Sequence, residues 1–346
     1  MKPDNPFTLT FGKKPPEYIE RYENTDAIVS TFAAEHPVSQ TYLIEGIRGS
    51  GKTVLMTSIA RELASNDRWI VIDLNATRDL LHDFAVKLEE KSKRVADYLK
   101  SGFQISVAGF GTGISGSSSP PEDPVVIERH LEELKKRNGK ILLTIDEVQH
   151  DLNMRRFASE FQILVRNDYP VYLLMTGLYE NIQAIQNDPS STFLLRSPKI
   201  HLKPLSLMQI KKQYGQIFKL GADEAEELAN ITCGYAFAFQ ALGMLYYEQR
   251  DNLTLDEIIL MLEDMLDDFV YQKIWEGLSS QDRKIMKAIP EEPIAVKDLR
   301  EILSMKSEVF SRYRERLAKR DLISTERYGY VSHALPRFIN VIASYK

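Results

Sequence analysis

Cysteine is almost absent from this chain. Its 346 residues hold one, Cys233, which has no internal partner for a disulfide and offers no Cys-rich metal site. That usage fits a reducing compartment. Long apolar runs are missing too: none approaches the roughly 20 residues of a membrane span. The opening stretch MKPDNPFTLTFGKKPPEY lacks the apolar core of a signal peptide. The expectation is a cytoplasmic protein with no membrane partner. Cations are not in excess either. A formal net charge of −5 excludes a surface coated in positive charge but leaves room for a local basic patch. No internal repeat is visible. What is present is ordinary for a globular protein, with 43% hydrophobic and 27% charged residues. The length exceeds one ordinary core and predicts two or three domains.

Through the first two hundred residues, short apolar runs alternate with helical patterns. The strands are expected at Thr41–Glu45, Trp69–Leu74, Ile141–Asp146, Val171–Thr176 and Lys199–Leu202. Their Ile, Val and Leu lack clean alternation, as in strands buried on both faces of a parallel sheet. Helices are expected at Thr53–Ala64, about Asp79–Leu99, Val125–Lys136 and Arg155–Arg166. The sum is an α/β domain over residues 1–204. Residues 101–124 interrupt the rhythm. They contain GTGISG, residues 111–116, a formal match to a dinucleotide fingerprint. Ser-Ser-Ser-Pro-Pro follows where a helix should open, so a loop or hairpin is the reading. Residues 205–275 are helical almost throughout and read as a lid-like subdomain with a connecting helix. That helix carries an acidic face, Asp256, Glu257, Glu263, Asp264, Asp267 and Asp268, read as solvated rather than as a cation site. Residues 276–346 predict three helices and then two short strands around a Tyr-Gly turn. That order describes a winged helix-turn-helix.

Residues 46–53, Gly-Ile-Arg-Gly-Ser-Gly-Lys-Thr, fit GxxxxGK[ST] between a strand and a helix. The pattern is that of a loop whose backbone N–H groups converge on one anion. Glycine supplies positive φ and leaves room for close approach. The following helix adds its N-terminal dipole. Lys52 is expected to reach the β- and γ-phosphates, and Thr53 to place its hydroxyl on Mg²⁺. Gly46, Arg48, Gly49, Ser50, Gly51, Lys52, Thr53 and Val54 are the contact candidates for ATP.

About ninety residues later, KILLTIDEVQH is an apolar strand ending in Asp146 and Glu147. Alone, such a pair is an ordinary strand end. Behind a phosphate loop, Asp146 reads as an Mg²⁺ holder through water, and Glu147 as the group that polarises an attacking water. Thr176, ending the neighbouring strand, is placed to sense the γ-phosphate or hold that water, or is simply a polar strand end. Arg196, in FLLRSPKI, is an arginine-finger candidate across a subunit interface, or a surface arginine. Lys52, Glu147, Thr176 and Arg196 form the catalytic candidate set.

In this order, GIRGSGKT, LLTIDEVQ, LLMTG and RSPKIHLKPLS resemble the AAA+ P-loop ATPases. Within them the likeness is to the origin-recognition and archaeal-type ATPases and to the related STAND ATPases. It runs from about Pro15 to the end of the chain. The resemblance implies a P-loop NTPase fold, a helical lid and a C-terminal winged helix, with ATP and Mg²⁺ as cofactors. By the match of PPEYIERYENTDAIVSTF, it places Tyr18, Ile19 and Arg21 near the adenine or at a subunit edge. TCGYAFAFQALG resembles the lid segment, with Ala236 where proline is usual and no arginine where many relatives carry a second sensor.

The third helix of the C-terminal unit is rich in cations: Lys306, Arg312, Arg314, Arg316, Lys319 and Arg320 stand against Glu308 and Glu315. Such a helix suits a major groove, and Arg327 on the hairpin could reach the phosphate backbone. Helical spacing places Val309, Phe310, Tyr313 and Leu317 on the core stripe. Two functional expectations follow. One is an ATP-hydrolysing machine contacting double-stranded DNA, with homo-oligomers left open. The other is an ATP/ADP signalling switch whose winged helix docks a protein partner. A small-molecule kinase is disfavoured, because the helical half offers no evident acceptor pocket and Glu147 suits water activation.

Overall fold

The computed structural model describes residues 4–10, 12, 14–100 and 122–345. GTGISG, residues 111–116, lies outside the described residues. The chain divides into two compact units. The first, the sheet unit, comprises Tyr22–Ile44 and Met56–Ile200. The second, the loop–lid unit, comprises Met1–Arg21, Glu45–Leu55 and His201–Lys346.

The first two hundred residues form α1 (Tyr22–Ala33), β1 (Thr41–Glu45), α2 (Lys52–Ala64), β2 (Trp69–Leu74), α3 (Leu80–Lys100), α4 (Asp123–Lys136), β3 (Lys140–Ile145), α5 (Leu152–Arg166), β4 (Val171–Gly177), α6 (Tyr179–Gln186), a 3-10 segment (Pro189–Arg196) and β5 (Lys199–His201). The sheet is parallel and five-stranded, in the order β2-β3-β4-β1-β5. Ile141 pairs with Ile70 on one side and with Val171 on the other. β1 and β4 are buried at every position, and β3 at all but its first. This is why their sequences run Ile-Leu-Leu without alternation. β2 and β5 lie at the edges and are only partly covered. One core of aliphatic and Phe side chains, including Leu143, Leu173, Phe84, Phe157 and Phe161, fills this unit.

The remaining chain is helical: α7 (Leu207–Phe218), α8 (Ala222–Ile231), α9 (Ala236–Gln249), α10 (Leu255–Leu266), a π turn (Asp267–Tyr271) and α11 (Gln272–Glu276). α9 is apolar on nearly all faces and accordingly sits at the centre of its unit's core. The N-terminal segment joins that core. Phe7 packs on Tyr214, Phe218 and Phe239 with ring centroids 5.6–5.9 Å apart. A Cβ at position 243 would meet the Phe7 ring at 2.5 Å, so Gly243 is needed for the fit. The acidic face of α10 and the π turn is partly bonded rather than wholly solvated. Glu263 accepts from Arg337 at 2.6 Å, and Asp267 accepts from the Tyr345 hydroxyl.

α12 (Ser280–Ala288), β6 (Ile294–Ala295), α13 (Val296–Ile302), α14 (Ser307–Lys319), β7 (Ile323–Ser324), β8 (Tyr330–His333) and α15 (Phe338–Ile342) complete the chain. Three helices with an antiparallel β6-β8-β7 sheet make the winged helix-turn-helix. Phe310 and Leu317 are buried as expected, whereas Val309 is 44% exposed and lies off the core stripe. A partly exposed acid–imidazole cluster ties this module to the root of the phosphate loop. His201 Nε2 lies 2.8 Å from Asp321 Oδ1 and its Nδ1 3.6 Å from Glu45 Oε1. Glu45 is 5% exposed. The carboxylates of Asp321 and Glu45, which accept from the ring N–H groups, push the imidazole pKa up to about 9 against the burial.

Candidate functional site

The phosphate loop leaves β1 at Glu45 and enters α2 at Lys52. Gly49 has φ +78° and Gly51 φ +92°, both in the left-handed region that favours glycine. A Cβ at Gly49 would overlap the Tyr235 hydroxyl. Ser50 is buried, and its Oγ has no hydrogen-bond partner among the described residues. Lys52, 8% exposed, donates from Nζ to the carbonyls of Gly46 at 2.9 Å and Ile47 at 2.8 Å. An ammonium thus sits against a glycine-shaped backbone concavity, the donor set that a polyphosphate requires. Thr53 and Val54 are half-buried on the first turn of α2.

The N-terminal segment reaches the same loop. Arg21 donates to the carbonyls of Lys203 at 2.7 Å and Ser50 at 3.3 Å. Burial pulls its pKa below the ordinary arginine value, with Tyr18 acting the other way. Burial likewise pushes the Tyr18 phenol up to about 12, against the field of Arg21. Ile19 is buried in the loop–lid core.

Beside the loop opens a cavity of about 460 Å³. Ile47, Ser50 and Arg21 line one side, Tyr235 and Ala236 of the lid another, and Ala318, Asp321 and His333 of the winged helix a third. Burial lowers the His333 pKa, and the ring's Nε2 lies 3.0 Å from the Ile289 carbonyl. The sequence reading missed the lid's direct hold on the loop. Tyr235 Oη donates to the Arg48 carbonyl at 2.5 Å, and Phe237 N–H to the Gly49 carbonyl at 3.1 Å. The place of Ala236 in the lid segment was the available signal, but nothing in the letters marks the tyrosine before it as bonded.

In the sheet unit, the ends of β3 and β4 bring three of the predicted residues together. The Thr176 hydroxyl donates to Asp146 Oδ1. The Glu147 N–H lies 3.1 Å from Asp146 Oδ1 and 3.2 Å from Thr176 Oγ1. Val148 N–H donates to the Thr176 carbonyl at 2.9 Å. Thr176 is fully buried, so its hydroxyl orients Asp146. Glu147 is exposed and has φ +53°, a left-handed conformation that costs a residue with a Cβ. Arg196 is exposed at the end of the 3-10 segment.

The cations of the winged helix divide by their partners. Arg316 bonds Asp282 at 2.6 Å, and Asp282 is 2% exposed and shares a capping box with Ser279, the N-cap of α12. Lys319 pairs with Glu315 at 2.6 Å. Arg320 lies 3.4 Å from the Gly277 carbonyl, and the Arg327 guanidinium sits 3.9 Å over the Tyr330 ring. Lys306 and Arg312 are exposed, and Arg314 is half-buried. Among the described residues no group of His, Cys, Asp and Glu is arranged to hold a metal by itself. Nor is any described helix long and apolar enough to cross a membrane.

Residues 39–185 match the family model described as an AAA domain. Residues 268–341 match one described as a domain of unknown function, DUF8462. Curated proteins give no match. Among solved structures, the chain is similar to the Walker-type ATPase of Pyrococcus abyssi, with TM-score 0.65 and 16% identity over 94% of this chain and 95% of that one. It is also similar to the Aeropyrum pernix ORC2 protein in its ADPNP-ADP complexes, with TM-score 0.60 and 15% identity over 96% and 95% of the two chains. Residues 39–185 are thus similar to an AAA domain, and the chain shares the P-loop ATPase fold of these solved structures, the fold that the sequence resemblance implied.

Proposed function

We propose that this chain is an Mg²⁺-dependent ATPase of AAA+ type whose nucleotide state is read out by its winged helix. The observation that carries the proposal is the shared cavity, bordered within one compact unit by phosphate-loop, lid and winged-helix residues. A group filling it would touch all three. In this reading residues 1–204 work as the ATPase domain, 205–275 as the lid and 276–346 as the output domain.

The residues divide the work by chemistry. Backbone N–H groups of Gly46–Thr53 and the Lys52 ammonium bind the phosphates. Arg21, Tyr18 and Ile19 border the base. Thr53 and Asp146 would hold Mg²⁺, which supplies charge neutralisation on the phosphate oxygens. Thr176 keeps Asp146 oriented, and Glu147 orients the attacking water and accepts its proton. Arg196 serves the nucleotide of a neighbouring copy in an assembly.

The test is calorimetric titration of the full chain with Mg-ATP, together with a phosphate-release assay. Glu147→Gln is expected to keep the wild-type dissociation constant and to lose turnover by roughly 100-fold or more. Native turnover in that variant would remove Glu147 from the role.

For the output, Lys306, Arg312 and Arg314 support contact with duplex DNA. The pairing of Arg316 and Lys319 with acids, and of Arg327 with Tyr330, favours the second reading, a switch that docks a protein. Affinity of the full chain for duplex DNA that falls steeply with salt supports the first reading. No duplex binding at low salt leaves the second.

A further inference from the structure

We infer that Tyr235 is a positioning residue for the phosphate loop, an inference that rests on reading residues 46–53 as a phosphate cradle. Its hydroxyl fixes which way the Arg48–Gly49 peptide faces, and so prepares an N–H for an anion.

The argument begins with the peptide plane. In a trans peptide the C=O of one residue and the N–H of the next point in opposite directions. Tyr235 Oη holds the Arg48 carbonyl at 2.5 Å, so the Gly49 N–H is turned away from the lid. The next plane is held in the same manner, because Phe237 N–H holds the Gly49 carbonyl at 3.1 Å. Two consecutive planes are thus clamped by the N-cap residue and the first turn of α9. At a glycine, a peptide flip meets little steric resistance, so the clamp must come from elsewhere. A flipped plane would present a carbonyl where a phosphate cradle needs a donor.

The clamp itself is rigid. Tyr235 is 5% exposed. Its N–H donates to the Thr232 carbonyl at 2.8 Å, and its ring stacks near that of Tyr271, with centroids 6.5 Å apart. The phenol also fills the space a side chain at position 49 would need. The lid therefore dictates both the residue type and the peptide orientation at the middle of the loop.

Tyr235→Phe tests this, with Tyr214→Phe as its control. The Tyr214 hydroxyl is buried and donates to the Phe239 carbonyl of α9 at 2.7 Å. Its removal costs a comparable hydrogen bond in the same core without touching the loop. Dissociation constants of the full chain for Mg-ATP and Mg-ADP are measured by calorimetry, alongside thermal melts. Both variants are expected to melt somewhat below the wild type. Only Tyr235→Phe is expected to bind both nucleotides more weakly, by about 3- to 10-fold, the effect of one buried hydrogen bond. Wild-type affinity in Tyr235→Phe would overturn the inference, as would an equal loss in Tyr214→Phe. A wild-type chain that binds neither nucleotide would instead overturn the phosphate-cradle reading, and the positioning role with it.

Discussion

His201 should make the chain's stability fall at alkaline pH, and His201→Gln should abolish that dependence. The imidazole lies between Glu45 at the loop's root and Asp321 just after α14, the two acids that raise its pKa. The folded value, about 9, lies above the ordinary 6.5. The stabilisation is therefore complete below about pH 6.5 and is lost as pH rises through about 9. In a fully shielded site such a shift would be worth roughly 3 kcal/mol. The side chain is 35% exposed, and screening reduces the figure to about 1–2 kcal/mol. Urea unfolding of wild type and His201→Gln should differ by that amount near pH 6 and converge near pH 10. NMR titration of the imidazole gives an independent reading. A folded-state pKa near 6.5, or a stability gap that does not change with pH, would refute the reasoning.

Lys52→Ala should raise the dissociation constant for Mg-ATP by roughly 100-fold or more in calorimetry, because it removes the only side-chain cation of residues 46–53 besides Arg48. Arg316→Ala should lower stability by about 1–3 kcal/mol in thermal or urea unfolding, since it strands the buried Asp282 carboxylate. If the winged helix binds DNA, Arg312→Ala should reduce affinity and flatten the salt dependence while leaving stability within about 0.5 kcal/mol. Comparing the two variants in one filter-binding and unfolding series separates a structural arginine from a contacting one.

Much of the architecture was legible because the local signals agreed with one another. All five expected strands are present within a residue or so of the expected bounds; at β1, β3 and β4 the apolar runs answer burial on both faces. The C-terminal module was legible from its order of three helices and then two short strands around a Tyr-Gly turn. The loop at 46–53 was legible because its glycines stand between an apolar run and a helical pattern, and two of them take the positive φ expected there. Side-chain partners across long separations were not visible. Tyr235 and Arg48 stand far apart in sequence, as do His201 and Asp321, and no periodicity links them. Val309 was misplaced because a stripe one residue too wide fits the letters as well as the true one. Charge partners were only partly legible: Glu315 stands one turn from Lys319 in the sequence, whereas Asp282, the partner of Arg316, lies on another helix.

The seating of Phe7 has a consequence for how the chain is made. Its binding partners, from Tyr214 to Gly243, are synthesised more than two hundred residues after it. At roughly 5–20 residues per second, that segment waits about 10–40 s before its pocket exists. The segment around Phe7 therefore cannot reach its final packing until α9 has been made.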